Sequence, residues 1–265
     1  MKKPKWVVEK EQAKRKAAQE TVWLFGLHAV RDALRNPARE KLRLLVTKNA
    51  QAKLAEDIAA AGMAFEEIDP RKFHDPRNHG VPVDPASVHQ GALLEVKPLK
   101  WGSVEEVCLA AGEGAPTVVV LDQVTDPHNV GAILRSAEVF GAEAVIATAR
   151  HAAPETGALA KTASGALERQ PYLRVRNLAD TIVQLQGLGF TCLGLDGEAE
   201  DTIDTAMAAL AGRPVALVMG AEGPGLRQKT KETVDKLVKI EFARDFGSLN
   251  VSNAAAVALY AASRR

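Results

Sequence analysis

A chain of 265 residues with a net charge of +1 at pH 7, 46% hydrophobic and 25% charged residues, is not wholly disordered and has the length for one large domain or two modest ones. No apolar run approaches the roughly 18–20 residues of a membrane span, and the N-terminal MKKPKWVVEKEQAKRK lacks the apolar core of a secretory signal. Two cysteines, Cys108 and Cys192, build neither a disulfide framework nor a cysteine-based zinc site, and a reducing, cytoplasmic location is the expectation.

The near-neutral total hides a split. Residues 1–100 hold 19 Lys/Arg against 13 Asp/Glu, a net +6, whereas residues 101–265 hold 15 against 20, a net −5. A basic front half suits a polyanionic partner. Residues 1–20 carry +4 of that excess, and without apolar periodicity they read as a basic flexible tail. VWLFGLHAVRDALRN then opens on an apolar stretch and passes into a helix with Ala29, Val30, Ala33 and Leu34 on one face. LRLLVTK (42–48) is strand-like, QAKLAEDIAAAG (51–62) is an amphipathic helix closed by Gly62, FEEID (65–69) is a short strand and ALLEV (92–96) is extended. These elements predict a small α/β domain over residues 21–97. Residues 98–116, with one short helical piece bounded by Gly and Pro, read as a linker.

The texture changes over 117–265. VVVLD (118–122), AVIAT (144–148), TCLGL (191–195), VALVMG (215–220) and KLVKI (236–240) are continuous apolar runs separated by helical segments. Strands buried on both faces read this way, so the second domain is an α/β unit with a mostly parallel sheet and helices on both sides. Ligands of such sheets bind at the carboxyl ends of the strands, where three polar, Gly- and Asn-rich loops follow 118–122, 215–220 and 236–240. Gly220, Gly223 and Gly225 stand at i, i+3 and i+5, not at the i, i+2, i+5 of a dinucleotide fingerprint, and no P-loop Lys-Ser/Thr pair follows. That argues against an NAD or ATP phosphate site, while leaving a loop whose backbone can approach a flat ligand closely. A tight turn without a ligand remains the alternative for these glycines taken alone. Ser248, Asn250, Ser252 and Asn253 precede the small-residue run AAAVALY. Helix capping accounts for one or two of them and not for four.

Together, DPHNVGAILRSAEVFGA, VMGAEGPGL and SLNVSNAAA, in this order and spacing, resemble the three motifs of the SpoU (TrmH-like) RNA 2′-O-ribose methyltransferases. The likeness continues in KTASGALE (161–168). FGLHAVRDAL and VHQGALLEV resemble that family's N-terminal RNA-binding domain, which is similar to a ribosomal-protein fold. The resemblance spans roughly residues 22–265. It implies a trefoil-knotted C-terminal methyltransferase domain, S-adenosylmethionine as cofactor, an RNA substrate and a homodimer formed through the knotted domains, a contact that the small residues of NAAAVALYAA suit. Gly220, Ile240 and Leu249 match the family's cofactor-contacting positions, with Gly223 and Gly225 in the same loop. Arg135 takes the catalytic position, supported by Asn129, Glu222, Ser248 and Asn250.

Two roles are open for Arg135. A guanidinium does not readily give up its proton, so the alternative to a general base is a fork onto RNA phosphate and the 2′-hydroxyl that stabilises developing alkoxide. The loop at 241–247, Glu-Phe-Ala-Arg-Asp-Phe-Gly, departs from the Ile-Pro-Met pattern of many relatives and is bulkier and more charged, which bears on the methionine end of the pocket. No metal is expected, since the six histidines show no ligand spacing with carboxylates. The extra N-terminal domain resembles the branch acting on a guanosine of large-subunit ribosomal RNA. The alternatives are a transfer RNA ribose methyltransferase and a non-catalytic RNA-binding or ribosome-assembly factor of the same fold.

Overall fold

The computed structural model describes residues 21–71, 73, 75–109, 115–244 and 248–265. The basic tail, residues 1–20, and residues 245–247 of the unusual loop lie outside them. Two compact units form: one from the described residues up to Lys100 together with Glu155–Glu168, the other from Trp101–Pro154 and Arg169–Arg265.

In the first unit, β1 (Val22–Phe25) leads into α1 (Leu27–Arg35), β2 (Lys41–Val46), α2 (Lys48–Ala61), β3 (Glu66–Glu67) and β4 (Ala92–Val96). The sheet order is β1-β4-β2-β3, with β4 antiparallel to both β1 and β2 and β3 parallel to β2. α1 buries the expected face of Ala29, Val30, Ala33 and Leu34. α2 starts three residues before the predicted Gln51, because Thr47 caps it by accepting a hydrogen bond from the Ala50 N–H and so ends the strand at Val46. Gly62, at φ 59°, closes it in the left-handed conformation that glycine tolerates.

The second unit comprises α3 (Val104–Leu109), β5 (Thr117–Asp122), α4 (Pro127–Val139), β6 (Ala144–Thr148), β7 (Tyr172–Val175), α6 (Leu178–Gly187), β8 (Thr191–Leu195), α7 (Ile203–Ala209), β9 (Val215–Gly220), α8 (Gln228–Thr233), β10 (Lys236–Val238) and α9 (Val251–Ser263). The segment between β6 and β7 supplies α5 (Gly157–Ala163) and a 3-10 turn at Ala166–Glu168 to the first unit. The six strands are ordered β10-β8-β9-β5-β6-β7, every pairing parallel. Five of them are the predicted apolar runs; β7 was not anticipated. Residues 101–109 are more than linker, since Val104 and Cys108 are buried in this unit's core with Val118, Val120, Ile146 and Ile182. Burial pushes the Cys108 thiol up to about 11 and that of Cys192 up to about 12, so both remain thiols. No helix among the described residues is long and apolar enough to cross a membrane.

The incorporation of residues 155–168 into the first unit departs from the boundary expected at residue 117, and it has a local cause. The side chain of Arg39 is fully buried. Its Nε and Nη2 donate to the two Glu168 carboxylate oxygens at 3.0 and 2.7 Å, and its Nη1 donates to Glu155 Oε2 at 3.0 Å and to the Lys97 carbonyl at 2.8 Å. Burial opposes the Arg39 charge, but the pairs with Glu168 and Glu155 outweigh it and raise its pKa. Gly157 lets α5 lie against β1: a Cβ there would fall 2.3 Å from the Phe25 ring and 2.5 Å from the Trp23 carbonyl. Replacing Arg39 by Ala strands two buried carboxylates, so Arg39→Ala is expected to lower stability by about 3–5 kcal/mol. Denaturant unfolding checks this, and a loss below about 1 kcal/mol would mean the cluster is effectively solvated.

Candidate active site

All strands of the second sheet run the same way, so their carboxyl ends share one edge. The chain leaves β5 toward β6 and β7 on one side and later fills the other side with β8, β9 and β10. The reversal lies between β5 and β9, where crevices of open α/β sheets form. At that point Asp122, the last residue of β5, stands opposite Gly220, the last of β9.

A cleft of about 210 Å³ opens beside Gly220. Among its walls are Gly220, Glu222, Gly223, Gly225, Ile240, Ser248 and Leu249, along with Leu195, Asp196 and Gly197 after β8 and the apolar Met219, Phe242 and Val251. Seven of the ten site residues named from sequence therefore meet in one cavity. Leu195, Asp196 and Gly197 form a wall that had not been singled out, although the Asp-Gly step after an apolar run is the same strand-end signal as the other loops.

Each glycine has a distinct task. Gly220 cannot be replaced without conflict: a Cβ would lie 2.2 Å from the Gly225 carbonyl carbon and 2.4 Å from the Leu226 nitrogen. Gly223 and Gly225, at φ 85° and 68°, turn the chain through the left-handed region. Ala221 and Gly225 exchange backbone hydrogen bonds of 3.1 and 2.9 Å across that turn. Behind the loop, the fully buried Asp122 accepts hydrogen bonds from the Arg227 N–H at 3.0 Å, Arg227 Nε at 2.6 Å and Thr230 Oγ1 at 2.6 Å. Nothing local in the run VVVLD marks Asp122 for this role.

At the rim, Asn129 in the first turn of α4 donates to Glu222 Oε2 at 3.4 Å and accepts from Asn250 Nδ2 at 3.1 Å. Asn250 is also the N-cap of α9, its Oδ1 accepting from the Ser252 N–H at 2.9 Å and the Ser252 hydroxyl at 2.6 Å. Capping and constellation are thus one structure at Asn250 and Ser252, two of the four small polar residues that precede AAAVALY. Arg135 stands apart. It is exposed on α4 and makes no hydrogen bond or ion pair among the described residues, and it is not part of the cleft wall. Asp196 is held below the usual carboxylate range, chiefly by its hydrogen bond from Lys231, which neutralises it as an ion pair at the cleft wall. The described residues contain no cluster of three or more His, Cys, Asp and Glu suited to a metal ion.

Comparison with known proteins places this geometry. Residues 116–260 match the model of the SpoU rRNA Methylase family, and residues 23–101 match that described as RNA 2′-O ribose methyltransferase substrate binding. The 23S rRNA (guanosine-2′-O-)-methyltransferase RlmB of Vibrio vulnificus is 38% identical over 248 residues, 92% of this chain and 96% of that one. The Escherichia coli enzyme of the same name is 35% identical over 247 residues, 91% of this chain and 98% of that one. Among solved structures, the SpoU methyltransferase AviRb from Streptomyces viridochromogenes in complex with AdoMet aligns with a TM-score of 0.75 at 21% identity, covering 95% of this chain and 92% of that one. The chain belongs to the SpoU family of RNA 2′-O-ribose methyltransferases, enzymes that use S-adenosylmethionine.

The cleft fits that cofactor chemically. Apolar side chains and close glycine backbone suit an uncharged adenine, and the Glu222 carboxylate in the cleft wall, which has no salt bridge among the described residues, suits a cationic ligand. Because the contact at Gly220 is backbone against backbone, Gly220→Ala has no side chain to displace. It is expected to weaken S-adenosylmethionine binding at least ~10-fold in calorimetry, and wild-type affinity would show that the loop tolerates reshaping.

Proposed function

We propose that this protein methylates the ribose 2′-hydroxyl of a guanosine in 23S large-subunit ribosomal RNA, acting in the cytoplasm as a homodimer. The observation that carries the reading is the chain of hydrogen bonds Glu222–Asn129–Asn250 at the rim of a cleft lined by Gly220, Ile240 and Leu249. The activity printed for relatives that align over nine-tenths of the chain supports it. The knot implied by the resemblance is part of the same proposal.

Gly220, Ile240 and Leu249 would hold the adenosine end, with Gly223 and Gly225 shaping the turn beside it. S-adenosylmethionine bound there supplies an electrophilic methyl group. The protein's share is orientation, which can account for much of the rate of a two-reactant step. Asn129 and Asn250 fix the Glu222 carboxylate and α9 relative to one another, and Ser248 adds a hydroxyl at the rim. Arg135 acts as a fork that binds phosphate and stabilises negative charge on the attacking oxygen, with a phosphate oxygen or water taking the proton.

The homodimer reading is supported by exposed apolar side chains on the helices beside the sheet: Val139 at the end of α4, and Val257 and Tyr260 one turn apart on α9. Tyr260 also meets Phe140 edge to face. A second copy covering this face would bury them.

Transfer of labelled methyl from S-adenosylmethionine to an unmodified large-subunit RNA transcript, with transfer RNA as the comparison arm, tests the activity. Mapping should find one modified guanosine ribose, and no transfer to either RNA would overturn the enzyme reading. Arg135→Lys is expected to lose at least ~100-fold in kcat/KM, because a point charge cannot fork; near-full turnover would remove the bidentate role. In sedimentation the wild type should be a dimer at micromolar concentration and Tyr260→Glu should shift it toward monomer, whereas a monomeric wild type would refute the dimer.

A further inference from the structure

The second half of the chain is acidic overall, yet residues 144–154 and 169–179 contain no Asp or Glu while holding Arg150, Arg169, Arg174, Arg176 and His151. The sheet brings these segments together, since β6 and β7 pair with Thr148 opposite Val175. Arg150 and Arg176 each follow just beyond that pair. Arg169 is engaged by Glu138, but Arg150, Arg174 and Arg176 have no ion pair among the described residues.

Arg174 faces inward onto the loop that carries Arg150. Its Nη2 donates to the carbonyls of Ala149 at 3.0 Å and Ala152 at 3.3 Å, its Nη1 donates to that of Ala153, and the guanidinium lies over the Tyr172 ring. The Tyr172 hydroxyl donates to Ala153 as well, at 2.7 Å. The loop is tied at one end by the Ala149 N–H to Val175 at 2.7 Å and at the other by the Ala153 N–H to Val124 at 3.4 Å. So fastened, it holds His151 at φ 55°, where a residue with a Cβ is uncommon, and leaves Arg150 and His151 exposed.

Asp180, in the first turn of α6, shares a surface cavity with Arg176, but neither Arg150 nor Arg176 forms an ion pair among the described residues, so a bound polyanion would supply the counter-charge that these two exposed guanidiniums lack. Their position selects that anion. Met219, Leu121 and Ala147 form one row across β9, β5 and β6, so Thr148, next after Ala147, lies two strands from Gly220, about 10 Å along the cleft edge. We propose that Arg150 and Arg176 bind phosphates of the substrate RNA flanking the reacting ribose, and that Arg174 is a positioning residue that holds the loop for them. This rests on the RNA methyl-transfer reading and adds a contact outside the family motifs.

Phosphate contacts set the salt dependence of binding, about 0.7 in slope per phosphate for single strands. In the full-length protein, Arg150→Ala combined with Arg176→Ala should weaken binding of an unmodified large-subunit RNA transcript at least ~10-fold, lower the slope of log affinity against log salt by about 1 to 1.5, raise KM for that RNA and leave calorimetric affinity for S-adenosylmethionine intact. Arg174→Lys should reproduce part of the RNA loss, since the single nitrogen of an ammonium cannot span carbonyls that Nη1 and Nη2 of the planar guanidinium reach separately. An unchanged RNA affinity and salt slope in the double variant overturns the proposal. The two failures are separable: absent methyl transfer by the wild type counts against the activity, whereas the salt slope decides the RNA contact in either case.

Discussion

The cleft depends on one buried carboxylate. Asp122 has no solvent contact, and removing such a charge from water is costly unless donors replace the lost hydration. Three donors do so, all from Arg227 and Thr230. The turn at 221–225 is therefore bounded on one side by Gly220, in register with Asp122, and on the other by Arg227, bonded to it. Within those limits the close approach of Gly220 to Gly225, the burial of Leu226 and the placing of Glu222 beside Asn129 follow from one another. A loop rich in glycine is ordinarily the soft part of a fold. Here its two ends are tied to the central strand.

The parallel strands were legible because central strands of such a sheet are covered on both faces and so read as unbroken apolar runs. β7 was not, for the complementary reason. It lies at the sheet edge, and its Arg174 turns to bond loop carbonyls, which leaves Tyr-Leu-Arg-Val without the continuous signal of its neighbours. The fate of residues 155–168 was equally hidden, because it depends on Arg39 and Gly157 finding partners more than a hundred residues away in sequence. Local periodicity carries no record of such pairings.

At the site, loops were legible and the forces shaping them were not. Gly220, Ile240 and Leu249 could be placed by spacing and resemblance, and they share a cavity. Asp122 and Asp196 carry no such signal, since neither the partners of a buried carboxylate nor a hydrogen bond from Lys231 leaves a mark on sequence. Arg135 is the reverse case. The motif singles it out, while in the single chain it stands exposed on α4.

The first unit is discontinuous in the chain, and that orders events during synthesis. Its sheet is complete in sequence by residue 100, but Arg39 then has neither Glu155 nor Glu168, and α5 is not yet present to lie on β1. At typical translation rates the missing segment follows about 3–14 s later. Throughout that interval the nascent chain holds an unpaired arginine and an uncovered strand face. β5 and β6 are made within the same interval, so synthesis of the second unit begins before the first has all of its residues.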